Sequence, residues 1–95
     1  MSERVWQLVD GFDPLIHVWD SESVIYDRFS GNTHLLDVLS LRLVEMLAND
    51  GMSENRLIST MADELVVEVD DEFFSYIQMR LDALLKLNIA QSPNV

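Results

Sequence analysis

Three side chains near the middle of the chain, Ser30, His34 and Asp37, are of the types that act together as nucleophile, general base and orienting carboxylate. Their spacing argues against that chemistry, because an extended segment separates Ser30 from His34 by roughly 13 Å. Ser30 is also a typical turn residue, and Asp37 is a typical helix N-cap. We therefore predict that the chain has no catalytic residues and is not an enzyme.

The two histidines, His17 and His34, could share a metal ion with Asp20 or Asp37. None of these pairs has the i, i+3 or i, i+4 spacing that builds a metal site on a helix. Gly31 stands alone, so there is no glycine-rich loop to hold a phosphate. Cysteine is absent, which excludes disulfide bonds and thiolate ligands. The sequence predicts neither a metal nor a cofactor.

The composition is strongly acidic, with 17 Asp and Glu against six Lys and Arg and a formal net charge of −11. Such a chain repels phosphate, which argues against nucleic acid as a partner. The acidity serves either a well-hydrated surface or the attraction of a basic partner segment. The longest apolar stretch, residues 38–47, is interrupted by charges and too short for a bilayer, and residues 1–13 lack the basic and uninterrupted apolar regions typical of a signal peptide. These features predict a cytoplasmic protein without membrane contact.

The first third of the chain has the pattern of short β-strands. Residues 5–9 and 15–19 alternate well enough to be strands, and residues 22–36 predict a hairpin of two strands around Ser30-Gly31-Asn32, because Gly-Asn supplies the positive φ angles of a tight turn. Residues 15–19 carry apolar side chains on both faces, so we expect the sheet to be partly covered on both sides. A Trp at a strand position in so small a domain is more often part of the core than an interface anchor.

From residue 38 the apolar period changes to about 3.6, which predicts three helices. Asp37 caps the first, Ser53 caps the second, and acids at residues 70–72 open the third, which ends near residue 87. The third helix carries a core stripe of Phe74, Ile77, Leu81, Leu84 and Leu85, and beside it a second stripe of Phe73, Tyr76 and Arg80. The second stripe suits either the floor of a groove or a partly exposed helix flank.

These elements predict one domain over residues 1–95, with a frayed tail at residues 91–95. The fold class is α+β: an N-terminal antiparallel sheet of three or four strands followed by three helices, in a small winged-helix-like arrangement.

The run from Ser30 to Asp37, SGNTHLLD, together with Trp6, Trp19 and residues 24–26, resembles the HPr-rel-A system subgroup of the PqqD-like family. The parent family is the peptide chaperone of pyrroloquinoline quinone biosynthesis, and the resemblance spans about residues 6–89. It implies a domain that binds a leader peptide and presents it to a partner, either a modifying enzyme or a neighbour related to HPr kinase. In such domains the leader adds as a strand beside the third strand and packs on the third helix.

Carried over to this chain, the resemblance implies a peptide-binding site of eight residues. Four belong to the strand edge and four to the facing helix: Thr33, His34, Leu35 and Leu36, and Phe73, Tyr76, Ile77 and Arg80. The resulting prediction is a non-catalytic module that binds an extended peptide by β-strand addition. One alternative is a homodimerising adaptor that offers the same edge to its twin. Another is a winged-helix DNA-binding regulator, which the acids of the third helix disfavour.

Overall fold

The structure is a computed structural model that describes residues 4–20, 22–48 and 50–92. The elements follow one another as β1 (Val5–Leu8), β2 (Pro14–Trp19), β3 (Glu22–Asp27), β4 (Thr33–Asp37), α1 (Val38–Leu47), β5 (Met52–Ser53), α2 (Glu54–Leu65), α3 (Asp71–Lys86) and β6 (Ala90–Gln91). Antiparallel strands followed by three helices confirm the predicted α+β class.

The strands form two sheets rather than one. The larger sheet has the order β2-β3-β4, and the smaller one has the order β5-β1-β6. β1 therefore leaves the N-terminal sheet and pairs with two segments from much later in the chain, at Val5↔Ser53 and Gln7↔Gln91. β5 and β6 have two residues each, too few to show an alternating pattern, so no periodic signal predicts this second sheet.

A single core lies between the larger sheet and the three helices. It combines Trp6 of β1 and Ile25 of β3 with buried side chains of the helices, among them Leu43, Leu57 and Leu81. This confirms Trp6 as a core residue.

One buried carboxylate links the smaller sheet to two helices. Glu54 accepts hydrogen bonds from Trp6 Nε1 (3.1 Å) and Gln78 Nε2 (3.0 Å), so β1, α2 and α3 share one polar contact inside the protein. Burying a carboxylate costs folding free energy unless its oxygens are hydrogen-bonded. Both oxygens of Glu54 accept such a bond.

N-caps begin all three helices: Asp37 and Ser53 as predicted, and Asp70, the first of the acids predicted at the start of the third helix. Asp37 accepts a hydrogen bond from Ser40 N (2.8 Å), Ser53 from Arg56 N (3.2 Å) and Asp70 from Phe73 N (2.8 Å). Each cap satisfies an N–H group that has no partner within its helix.

The turn between β3 and β4 is organised by the buried side chain of Asp27. Its carboxylate accepts hydrogen bonds from Asp13 N (3.0 Å), Phe29 N (3.0 Å) and Ser30 Oγ (2.7 Å). These bonds, the one from Asp13 foremost, hold the pKa of Asp27 below its usual value, because each stabilises the charged form. Gly31 takes a positive φ of 82°, as the hairpin prediction required, but Asn32 does not, so one of the two predicted positive φ angles is wrong.

The helices cover only part of the larger sheet. Ile25 and Leu36 are buried on its inner face, whereas Leu15, Ile16, Val18 and Trp19 of β2 are between 43% and 54% exposed. The expectation that the sheet is covered on both sides is therefore wrong for β2, because β2 lies beyond the helical layer. Trp19 is accordingly a surface residue, unlike Trp6.

The C-terminal segment is structured further than the sequence indicated. Gln91 pairs with Gln7 in β6, and Ser92 Oγ donates to the carbonyl of Val5 (2.6 Å). The structured chain thus extends past the predicted start of the tail at residue 91, and residues 93–95 lie outside the described residues.

Candidate peptide-binding site

β4 is an edge strand of the larger sheet, and the hydrogen-bond pattern identifies the backbone groups it leaves open. Asp27 N donates to the Asn32 carbonyl (2.8 Å), and the unbroken register continues through Ile25↔His34. Because antiparallel pairs alternate, His34 and Leu36 direct their N–H and C=O groups towards β3. Thr33, Leu35 and Asp37 therefore direct theirs outwards, where no strand of the described chain pairs with them.

The far end of this edge is attached to α3 by Arg80. Its guanidinium contacts Asp37 (Nη1 to Oδ2, 2.5 Å), donates to the Tyr76 hydroxyl (2.9 Å) and lies 5.0 Å from the centre of the Tyr76 ring. The positive charge also offsets the repulsion between Asp37 and Glu22, which face each other across β3 and β4. Arg80 thus fixes the position of β4 relative to α3.

Two hollows lie near opposite ends of α3, one just beyond its last turn and one at its first turn. The first, of about 300 Å³, lies towards the start of β4 and includes His34, Phe29 and Leu87 in its wall. The second, of about 430 Å³, lies at the start of α3; its wall is formed by Leu65, Val67, Glu68, Asp70, Glu72, Phe73 and Tyr76. A chain added beside β4 would therefore find recesses for side chains in both directions.

Six of the eight residues implied by the resemblance are accessible in this region. Thr33 and Leu35 are exposed on the outer edge, and His34 is half-buried in the wall of the first hollow. On α3, the stripe of Phe73, Tyr76 and Arg80 is partly exposed, as both interpretations of that stripe required.

The other two residues, Leu36 and Ile77, belong to the core. Ile77 is 0% exposed, which corrects the expectation that it belongs to the helix surface facing the peptide. Leu36 is buried and directs its backbone groups towards β3, which corrects the expectation that it pairs with a peptide through its main chain. The sequence spacing predicts Ile77 on the core stripe of α3, and its burial confirms that position. Only the resemblance implied a binding role for Ile77. Leu36 is on the inner face of β4 because side chains alternate along a strand.

Two parts of the site were not predicted from the sequence. Asp37 was assigned only as a helix cap, although it also binds Arg80. Leu65 and Val67 line the larger hollow, and the available signal was the run of apolar residues at 65–67 just before the acids that begin α3.

The residues considered for catalysis are not assembled for it. Ser30 Oγ donates to Asp27, while Asp37 caps α1 and contacts Arg80. Within residues 4–20, 22–48 and 50–92, no three His, Asp or Glu side chains are grouped so that they could hold a metal ion. No helix in that part of the chain is long and apolar enough to cross a membrane. That the protein is not an enzyme stays a prediction.

Comparison with solved structures identifies the fold. The chain is similar to TbiB1, whose structure was determined in complex with the TbiA(beta) leader peptide, with a TM-score of 0.65 and 17% sequence identity. The alignment covers 90% of this chain and 94% of TbiB1. No family model matches the chain, and no curated protein matches it. The similarity is thus one of fold, compatible with the small winged-helix-like PqqD fold, while the HPr-rel-A subgroup stays a prediction.

Proposed function

We propose that this protein is a peptide-binding module that takes an extended, leader-like segment as an additional strand beside β4. The observation that carries the proposal is the open backbone of Thr33, Leu35 and Asp37 next to α3. Strand addition uses main-chain hydrogen bonds. Thr33 and Leu35 offer both N–H and C=O groups in the required alternation, whereas Asp37 offers its N–H, because the carbonyl of a helix N-cap accepts the first bond of its helix. The fold shared with TbiB1, which was solved with a leader peptide, supports the same function.

The surroundings of the edge suit a peptide with alternating side chains. Side chains that point to the outer face would contact Leu35, which is 70% exposed. Those that point to the inner face would meet the stripe of Phe73, Tyr76 and Arg80 and the two hollows near the ends of α3. Backbone pairing supplies affinity with little sequence preference, so the α3 side is the part that would select one peptide over another.

Presentation of the bound peptide to a modifying enzyme is the finer part of this proposal. A strand added at β4 has its own second edge free, so a partner can still reach the part of the peptide that extends beyond the sheet. The chain itself then serves as a non-catalytic carrier.

A random-peptide display library, selected on the immobilised protein, tests the proposal without a known ligand. A synthetic copy of an enriched peptide is then titrated into isotope-labelled protein. We expect amide shifts in residues 33–37 together with residues 73–80. Shifts confined to one of these segments, or shifts centred on β2, would contradict strand addition at β4.

Two proline substitutions provide a matched control, one on each edge of the larger sheet. Leu35→Pro removes an outward N–H of β4 and leaves the pairing with β3 intact, so we expect peptide affinity to fall by about tenfold to a hundredfold. Val18→Pro makes the equivalent change on β2 and should leave affinity unchanged. Equal affinity of the two variants would show that the backbone of β4 does not bind the peptide.

A further inference from the structure

The second free edge of the larger sheet, β2, has the features of a buried interface although it is exposed in the monomer. Residues 15–19 carry no formal charge, in a chain with a net charge of −11. The side chains of Leu15 and Trp19 on one face, and of Ile16 and Val18 on the other, are all exposed. Edge strands of soluble proteins are usually protected by charges, bulges or a covering element, and β2 has none of these along residues 15–19.

The hydrogen-bond pattern between β2 and β3 identifies the N–H and C=O groups that β2 directs outwards. Arg28 N donates to the Asp13 carbonyl (2.9 Å), and the register with β3 is unbroken from Pro14↔Asp27 to Trp19↔Glu22. Residues 15, 17 and 19 therefore bond towards β3, and Ile16 and Val18 direct their N–H and C=O groups outwards. Pro14, which has no N–H, falls on the outward-facing side, where a sheet edge tolerates proline.

These outward groups are complementary to a second copy of themselves. We propose that β2 pairs antiparallel with β2 of another molecule about a two-fold axis at His17. In this register Ile16 of each copy lies opposite Val18 of the other, and the two pairs form four hydrogen bonds that use every outward N–H of residues 14–19. The result is a continuous six-stranded sheet.

The side chains match in the same register. On the outer face Leu15 lies opposite Trp19 of the second copy, and the two His17 side chains meet at the axis. On the inner face Ile16 lies opposite Val18. Within residues 15–19, every cross-strand contact except that of His17 thus joins apolar groups, which is the arrangement that stabilises strand pairs. At each end Pro14 lies opposite Asp20 of the second copy. A second copy fits this edge better than a basic partner, because residues 15–19 offer no carboxylate to attract one.

The dimer leaves peptide binding possible. β4 lies on the opposite side of β3 from β2, so both β4 edges remain at the outer ends of the six-stranded sheet. The homodimer considered from sequence used the β4 edge instead and would compete with a peptide. Evidence against the β2 dimer would therefore leave the proposed function unaffected, and evidence against peptide binding would leave the dimer unaffected.

Sedimentation velocity over a concentration series tests the dimer with variants at the axis. A strand pair of this length is small beside the ~1,600 Å² of a standard interface, so we expect dissociation in the micromolar range. His17→Glu and His17→Lys each place like charges opposite each other and should raise the dissociation constant about fivefold or more. An equimolar mixture of the two variants should restore association, because only at a two-fold axis does a residue meet its own copy. Leu35→Glu, on the β4 edge, is the matched control and should leave the dimer unchanged.

Salt and hydrogen exchange provide readouts that need no variant. Added salt should strengthen the dimer, since it screens the repulsion between two acidic copies, whereas it would weaken the binding of a basic partner. Exchange of the Ile16 and Val18 amides should slow as the protein concentration rises. A protein that stays monomeric throughout the series, a dimer that Leu35→Glu rather than His17→Glu dissociates, or a mixture that does not reassociate would each overturn the proposal.

Discussion

The two edges of the larger sheet have the same partner, β3, and opposite surroundings. β4 lies next to α3, is attached to it through Arg80 and Asp37, and has the two hollows near the ends of that helix. β2 has no helix beside it, and its side chains are exposed on both faces. An edge with a groove beside it can discriminate among peptide side chains, whereas an edge without one offers only its backbone and a uniform apolar surface.

This difference separates two kinds of association on one small domain. Affinity at β4 combines main-chain pairing with side-chain recognition on α3, so it suits a ligand of defined sequence. At β2 the uncharged strand with exposed apolar side chains favours a second copy of itself as the partner. Three predictions sharpen this comparison. Each pairs one substitution with a control substitution, and they follow in order of expected effect.

The largest effect should come from the inner face of the central strand. Ile25 of β3 is fully buried, and Ile16 lies directly opposite it on β2 but is largely exposed. Ile25→Ala should lower the free energy of unfolding by about 2–4 kcal/mol, because it leaves a cavity on the inner face of β3, between the two edge strands. Ile16→Ala should cost less than ~1 kcal/mol. Urea unfolding at low protein concentration measures both, and equal losses would mean that β2 is as well covered as β3.

A smaller effect should follow from loss of the contact between β4 and α3. Arg80→Gln removes the ion pair with Asp37, and Arg42→Gln is its control because Arg42 binds Glu64 with two hydrogen bonds (2.8 and 3.1 Å) away from either edge. Both pairs are partly exposed, so each substitution should cost about 0.5–1 kcal/mol of stability. Only Arg80→Gln should weaken the selected peptide, by about fivefold, in a calorimetric titration. The same loss from Arg42→Gln would show a general effect of stability.

The smallest effect concerns the turn that joins β3 to β4. The pKa of Asp27 is lowered by its hydrogen bonds to Asp13, Ser30 and Phe29, so its carboxylate contributes stability above the unfolded-state pKa, and this contribution is lost as pH falls through the lower, folded pKa. Asp27→Asn should therefore destabilise the protein at neutral pH and flatten the acid limb of its stability curve.

The control for that measurement is Asp63→Asn, since the Asp63 side chain is exposed and has no hydrogen-bond or ionic partner among the described residues. Circular dichroism during acid titration follows both variants. An acid limb that is unchanged in Asp27→Asn would mean that the turn does not depend on this carboxylate.

The sequence predicted what local patterns encode. The hairpin at Ser30-Gly31-Asn32, the caps at Asp37 and Ser53, the acids at the start of the third helix and the three helices themselves depend on neighbouring residues, and the structure has them all. The separate sheet around β1 depends on pairing between distant parts of the chain, for which two-residue strands give no periodic signal.

The candidate site was predictable to the same extent. The spacing on α3 indicated a second stripe of Phe73, Tyr76 and Arg80 and a core position for Ile77, and the structure has both. The resemblance alone assigned Ile77 to the site. The contact between Arg80 and Asp37 joins two elements far apart in sequence, so no local pattern predicts it. The exposed apolar side chains of β2 looked like core residues, because alternation indicates a strand and not which of its faces meets a helix.

The pairing of β1 has a consequence for how the protein folds. β2, β3 and β4 are joined by short turns, so their loops close quickly and at low entropic cost. β1 cannot pair until its partners Met52–Ser53 and Ala90–Gln91 have been synthesised, and these are the last of the described strands to leave the ribosome. The nascent chain should therefore form its hairpins early and hold Trp6 exposed until synthesis of this region is nearly finished, which makes that interval the period in which the chain is most prone to aggregate.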